Sequence, residues 1–268
     1  MANQDTFLIP ILPRQLGQLQ GFSVLPAHLA YRIGRGPHLF RSEGSVPPQG
    51  GVMVLDASGF DGFGAGDPFC QEVVRECLAR GFSGAVLDFD VRLPPLEGIA
   101  AQLDESFARR SWNLYVPESY GRCAPRAKVM ISSALSGGSL TLRLEEAQER
   151  FGRDRIALAL EPTAEDFFLP SPTGQGVPMT REELDKKMEA LSPSVFFSNE
   201  LCARYFTYTN PDGGAHFVLF DDGETLARKV DTARRLGIHV FLAPWEQVKE
   251  YTQALGLSRQ TLPTRRLR

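Results

Sequence analysis

Asp88 and Asp90 carry the clearest chemical signal in the sequence. They close the run Gly84-Ala85-Val86-Leu87-Asp88-Phe89-Asp90, in which an apolar core lies between two helical patterns. A short apolar run in that setting reads as a buried parallel strand. Side chains alternate along a strand, so both carboxylates project to one face and Phe89 to the other. Paired carboxylates at the carboxyl end of such a strand sit where α/β folds place general acid and base chemistry. The competing role is structural, as a helix cap or as partners for Lys or Arg.

Other strand ends extend the set. Val52-Met53-Val54-Leu55-Asp56 and Arg155–Glu161 each read as a buried strand finishing in a carboxylate. Tyr115, in the strand candidate Asn113–Val116, and Glu161 are cleft candidates set against roles in packing and capping. Convergence of Asp56, Asp88, Asp90 and Glu161 would also suit carboxylate chemistry of another kind, with or without a metal.

The elements that must position these residues alternate. Asp67-Pro68 opens a helix to about Arg80, stopped by Gly81. Leu140–Phe151 is an amphipathic helix with Ser139 as its cap, and Lys128–Ser132 is a short strand. Thr180-Arg181-Glu182-Glu183 is a capping box opening a helix to about Leu191. Residues 195–209 suggest strands before an Asn-Pro-Asp-Gly-Gly turn at 210–214. Strand His216–Phe220, helix Glu224–Leu236 and strand His239–Ala243 follow. Thr6–Leu12 is a first strand, and residues 13–50 are irregular loops around one further strand near Leu29–Ile33. About eight strand candidates favour an α/β fold of the (β/α)8 TIM-barrel type over an open sheet. The barrel is expected to be irregular at its N-terminal strands, with a small insertion before the last two. Residues 1–255 would form this single domain, with the insertion at about 162–214, and 256–268 a basic tail.

Composition excludes several functions. A net charge of −3 gives no general attraction to nucleic acid or anionic membranes. No apolar run approaches the ~20 residues of a membrane span. The N-terminus lacks the charged and apolar regions of a signal peptide, so a cytoplasmic protein is expected. Cys70, Cys77, Cys123 and Cys202 show no CxxC spacing and read as reduced thiols. The histidines have no paired spacing, the glycine-rich stretch Gly59–Gly66 lacks the GxGxxG order, and Ser136–Ser139 has no nucleophile elbow. No metal and no cofactor is expected.

Two segments together resemble the family 18 glycoside hydrolases, the chitinase-like barrels, and within them the spore-cortex and peptidoglycan-associated branch. The family's strand-four signature, D-G-x-D-x-D-x-E after Gly-Phe, is similar to Gly81-Phe82 followed by Ser83–Asp90. Gly84 and Asp88 match, Phe89 takes the aromatic position, and Asp90 takes that of the catalytic Glu. Ser83 and Val86 replace the first two aspartates. The second segment is Phe220-Asp221-Asp222 with Thr225, Lys229, Ala233, Gly237 and Trp245, similar to the family's aromatic-Asp-Asp motif, helix and strand ending in Trp.

The resemblance implies binding of N-acetylglucosamine-containing glycan, either chitin oligomers or peptidoglycan, and spore association. It makes Asp90 the general acid, Asp88 the residue orienting the substrate's N-acetyl nucleophile, and Trp245 the floor of the sugar subsite. The departures imply a damaged site. Asp90 is one methylene shorter than Glu, and a retreat of about 1 Å can cost ~100-fold in rate. Val86 removes a like charge that helps raise the pKa of the acid. The family's strand-six Met-x-Tyr-Asp is represented by Met130 alone, ahead of Ile131 and Ser132. Three roles stay open: a weak glycosidase, a catalytically silent module binding glycan or a protein partner, and an unrelated carboxylate enzyme.

Overall fold

The computed structural model describes residues 5–42, 47–171 and 174–259. Parallel strands β1 (Thr6–Ile11), β2 (Leu25–Ile33), β4 (Val52–Asp56), β5 (Gly84–Asp88), β6 (Asn113–Pro117), β7 (Lys128–Ser132), β8 (Ile156–Ala159) and β14 (Val240–Leu242) form a barrel. β1 closes it by pairing in parallel with both β14 and β2. The short β3 (Leu39–Arg41) runs back antiparallel on the end of β2.

The barrel stands on alternation along each strand. Leu8, Ala27, Val52, Val54, Val86 and Tyr115 turn inward and fill the lumen. Their neighbours Ile9, Met53, Leu55, Ala85, Leu87, Val116 and Ile131 face outward into the larger core shared with the helices. Both faces are therefore buried, which explains the near-continuous apolar runs of β4 and β5.

Helices α1 (Gly66–Arg80), α2 (Pro94–Ala108), α3 (Leu140–Phe151) and α5 (Gly223–Arg235) cover the outside, with the short α6 (Trp245–Val248) after β14. α1 begins one residue before Asp67, so Asp67 and Pro68 occupy its first turn and Ala65 its cap position. Gly81 ends it in the left-handed conformation, at φ 62°. Ser139 caps α3, accepting from the Leu142 N–H.

Among the described residues three connections dispense with a full helix, and that from β2 to β4 carries only β3. Between β1 and β2 runs a 3-10 turn, Pro13–Leu19. Between β6 and β7 a loop descends the wall directly; the Arg155 guanidinium donates there to the carbonyls of Gly121, Ala124 and Ala127, and to that of Phe151 at the end of α3. Gly121 admits no side chain, because a Cβ would lie 2.6 Å from the Phe151 ring.

After β8 the chain leaves the barrel for an antiparallel sheet of order β10-β9-β13-β12-β11. Its strands are β9 (Ala164–Leu169), β10 (Val177–Pro178), β11 (Phe196–Ser198), β12 (Ala203–Thr209) and β13 (Ala215–Phe220). Helix α4 (Arg181–Leu191), opened by the Thr180–Glu183 capping box, packs Leu184 against Phe206, Val218 and Phe220. The strand expected at His216–Phe220 is present, and it pairs inside this sheet rather than in the barrel. The insertion thus extends to Phe220, beyond the expected boundary near 214, and one barrel strand follows it. Residues 260–268, most of the expected basic tail, lie outside the described residues. No helix among the described residues is long and apolar enough to cross a membrane.

The cysteines are free thiols. Burial, aided by the charge of Asp67 for one and Glu76 for the other, pushes Cys70 and Cys77 up to about 12.

Candidate active site at the barrel mouth

Four carboxylates gather where the strands end. Asp56 closes β4 and stands opposite Asp88, which closes β5. Asp90 lies two residues beyond Asp88, and Glu161 two beyond the end of β8, each on the inward parity. Asp88, Asp90 and Glu161 are exposed in the bowl and Asp56 is half-buried. Although its side chain is open to the bowl, the protein packed around Asp88 partly desolvates it; that first, and then the negative charges of Asp90, Asp56 and Glu161, raise its pKa. The charges of all three other carboxylates act on Asp88.

The bowl's hydrogen bonds come from neutral donors. The Ser58 N–H donates to Asp56 at 2.8 Å, with the Ser58 hydroxyl on the other oxygen. The Ser132 hydroxyl donates to Glu161, and the Ser133 hydroxyl accepts from the Glu161 N–H at 3.0 Å. Asp88 and Asp90 have no hydrogen bond or ion pair among the described residues. No group of three or more His, Cys, Asp or Glu side chains among the described residues is placed to hold a metal ion.

Tyr115 lies one rung below, paired in register with Val86. Its ring is 3 % exposed and packs in the lumen cluster. Burial raises its hydroxyl pKa to about 12, so the phenol stays protonated. Tyr115 is therefore part of the bowl's floor.

Trp245 is placed differently. Its ring is 6 % exposed and belongs to the outer core, edge-on to Phe22 at 5.8 Å. Its indole N–H donates to Gln18 of the turn between β1 and β2. A sugar platform needs an open aromatic face, and this ring offers almost none.

Ser132 is the mouth residue that sequence reasoning passed over. It ends β7, two residues after the lumen-packed Met130, where the resemblance leads one to expect a Tyr-Asp pair. Strand parity from Met130 was the available signal.

The tail segment that carries the resemblance has a structural job. Lys229 (1 % exposed) reaches Asp221 (4 % exposed), its Nζ donating at 2.6 Å. The Thr163 N–H and hydroxyl and the Thr225 hydroxyl complete the shell around Asp221. Asp222 caps α5 through the Thr225 N–H at 2.9 Å. Burial opposes the Asp222 charge, but the Thr225 N–H and the Arg204 guanidinium outweigh it and hold the carboxyl low.

No protein-family model matches the sequence, and no curated protein matches it. Solved structures do. The spore cortex-lytic enzyme SleL of Bacillus cereus superposes with a TM-score of 0.67 at 12% identity, over 97% of this chain and 76% of its own. A chitinase from Chromobacterium violaceum gives 0.66 at 14% identity, over 95% of this chain and 100% of its own. A class V chitinase mutant from Nicotiana tobaccum, solved in complex with NAG4, gives 0.63 at 12% identity, over 95% and 100%. The protein has the fold of the chitinase-like (β/α)8 barrels.

Proposed function

We propose that the protein is a glycoside hydrolase-like barrel that binds N-acetylglucosamine-containing glycan, chitin oligomers or peptidoglycan, in the carboxylate bowl, with weak hydrolysis at most. One observation carries the reading: Asp56 and Asp88 stand in register at the carboxyl mouth of a chitinase-like barrel, with Asp90 and Glu161 beyond the ends of their strands, and the charges of Asp56, Asp90 and Glu161 act on Asp88. In the hydrolytic reading Asp90 protonates the glycosidic oxygen and Asp88 orients the N-acetyl group. The solved structure holding NAG4 and the cortex-lytic neighbours support glycan as the ligand class and spore association as the setting.

A catalytically silent glycan- or protein-binding module is favoured by two features. Asp90 is one methylene shorter than the Glu the resemblance implies, and Ser132 and Ser133 stand where it implies Tyr and Asp. Titrating wild type and Asp90→Glu with N-acetylglucosamine oligomers, following binding and bond cleavage, separates the two. Binding without cleavage by wild type, with cleavage gained in Asp90→Glu, is the expected result. Cleavage by wild type that Asp90→Asn abolishes would make it an active glycosidase. Absence of binding by both would end the glycan reading.

A further inference from the structure

The molecule neutralises its sheltered carboxylates with cations almost everywhere. Asp221 has Lys229, Asp104 has Arg126, and Glu118 has Arg143 and Arg150. Asp166 has Lys187 and His216, and Asp5 has Arg234 and His239. The bowl breaks this pattern. Among the described residues the Asp56 and Glu161 carboxylates meet only serine hydroxyls and one backbone N–H, and Asp88 and Asp90 meet no hydrogen-bond partner. Arg32 stands in register with Asp56 without an ion pair to it, and the charges that act on Asp88 are all negative. Like charges crowded without a counter-charge are costly, and an incoming cation relieves that cost.

A second observation lies beneath them. Tyr115 is 3 % exposed, it packs among Val54, Val86 and Met130 in the lumen, and its hydroxyl has no hydrogen bond to any described residue. The hydroxyl itself is not enclosed, since His28 Nδ1 alone among the described residues is a fully buried side-chain polar atom without a partner, and the lumen below offers only apolar neighbours. The open direction is upward, into the bowl below Asp88. A ligand seated there meets one neutral hydroxyl that both donates and accepts, under a ring of carboxylates.

A metal ion does not suit this arrangement, since the described carboxylates are not grouped closely enough to share one. A cation that carries its charge on a larger hydrogen-bonding body does. We propose that the sugar unit seated in the bowl bears a free, protonated amine, so that the protein selects glucosamine units within a partly de-N-acetylated glycan. This rests on the glycan reading given above and narrows its substrate class. The ammonium donates to Asp88 and a neighbouring carboxylate, and the Tyr115 hydroxyl bonds a ring hydroxyl or the amine. Sugars bearing carboxylates are repelled by the same field. A glucosamine unit also lacks the acetyl oxygen needed as internal nucleophile, so its seating leads to binding without cleavage by that route.

The test is calorimetric titration of the whole chain with glucosamine tetramer and with N-acetylglucosamine tetramer, at a pH where the amine is protonated. The expected result is a preference of about 10-fold or more for the glucosamine tetramer, as charge-assisted hydrogen bonds allow. It should shrink at high salt and be largely lost in Asp88→Asn. Tyr115→Phe should weaken binding several-fold, and Glu149→Gln on the exposed face of α3 should leave it unchanged. Equal or tighter binding of the N-acetylated tetramer would overturn the inference and leave the glycan site standing. Glucosamine binding that Asp88→Asn does not touch would also overturn it, as adhesion to the acidic surface. Binding of neither tetramer would overturn both readings.

Discussion

At the root of the insertion, Asp221 is 4 % exposed, and Lys229, Thr163 and Thr225 occupy its oxygens. At the barrel mouth, Asp88 stands among Asp56, Asp90 and Glu161 with no partner among the described residues. One carboxylate is enclosed and matched; the other is accessible and crowded by its own kind. A buried charge persists only where its partners are supplied, so the first site is an architectural joint. A crowded, unmatched carboxylate is retained against stability, as sites that await a ligand are.

The largest test of this contrast removes Lys229. Lys229→Ala leaves the Asp221 charge uncompensated and should cost about 3–5 kcal/mol in urea unfolding. The double variant Asp221→Asn with Lys229→Met should recover a good part of that loss. If Lys229→Ala were nearly neutral, the joint would be no more than a surface pair.

His28 sharpens the comparison as a buried group matched on one side only. It is 1 % exposed, with Nε2 bonded to the Gly50 carbonyl at 2.8 Å, stacked on Phe82, and Nδ1 without a partner. Burial lowers its pKa, against the Gly50 hydrogen bond. The folded state therefore favours the neutral ring. Its contribution is complete above about pH 6.5, the unfolded value, and is lost as pH falls through the lower folded value. His28→Phe should be less stable by about 1 kcal/mol at pH 8, through loss of the Gly50 bond, with the gap closing on acidification. Thermal unfolding at stepped pH reads both; a constant gap would contradict the assignment.

The smallest expected effect is a gain. The raised pKa of Asp88 means that the folded state favours its protonated form. Stability from this group is complete below the unfolded carboxylate value near 4 and declines as pH rises through the folded one. Asp88→Asn should therefore stabilise the protein slightly at neutral pH, an effect kept small by the solvent around the open side chain, with the gain vanishing toward pH 3. Destabilisation at neutral pH would show that Asp88 has a structural partner.

Much of the frame was legible in the sequence, because local chemistry decides it. The apolar runs ending at Asp56 and Asp88, the Ser139 cap, the Thr180–Glu183 box and the turn at 210–214 each act within a few residues. Membership of a sheet is decided elsewhere. His216–Phe220 has the apolar pattern of a barrel strand, yet long-range pairing with β9 and β12 sets it in the insertion. β2 was read short because Pro26, His28 and Arg32 interrupt its pattern. Strand parity placed Asp88 and Asp90 in the bowl, where Glu161 joins them. It could not show that the turn carrying Gln18 and Phe22 folds over Trp245.

The latch at the foot of the second sheet has a further consequence. Thr163 and Asp221 lie 58 positions apart in the chain, yet each backbone N–H is bonded across the gap to the other residue. The excursion therefore returns to the place it left, and the barrel meets it as a short stem. Segments with such neighbouring ends tolerate exchange and permutation. A lineage carrying this joint can trade one upper storey for another, reshaping what the mouth accepts while the cylinder beneath is left as it was.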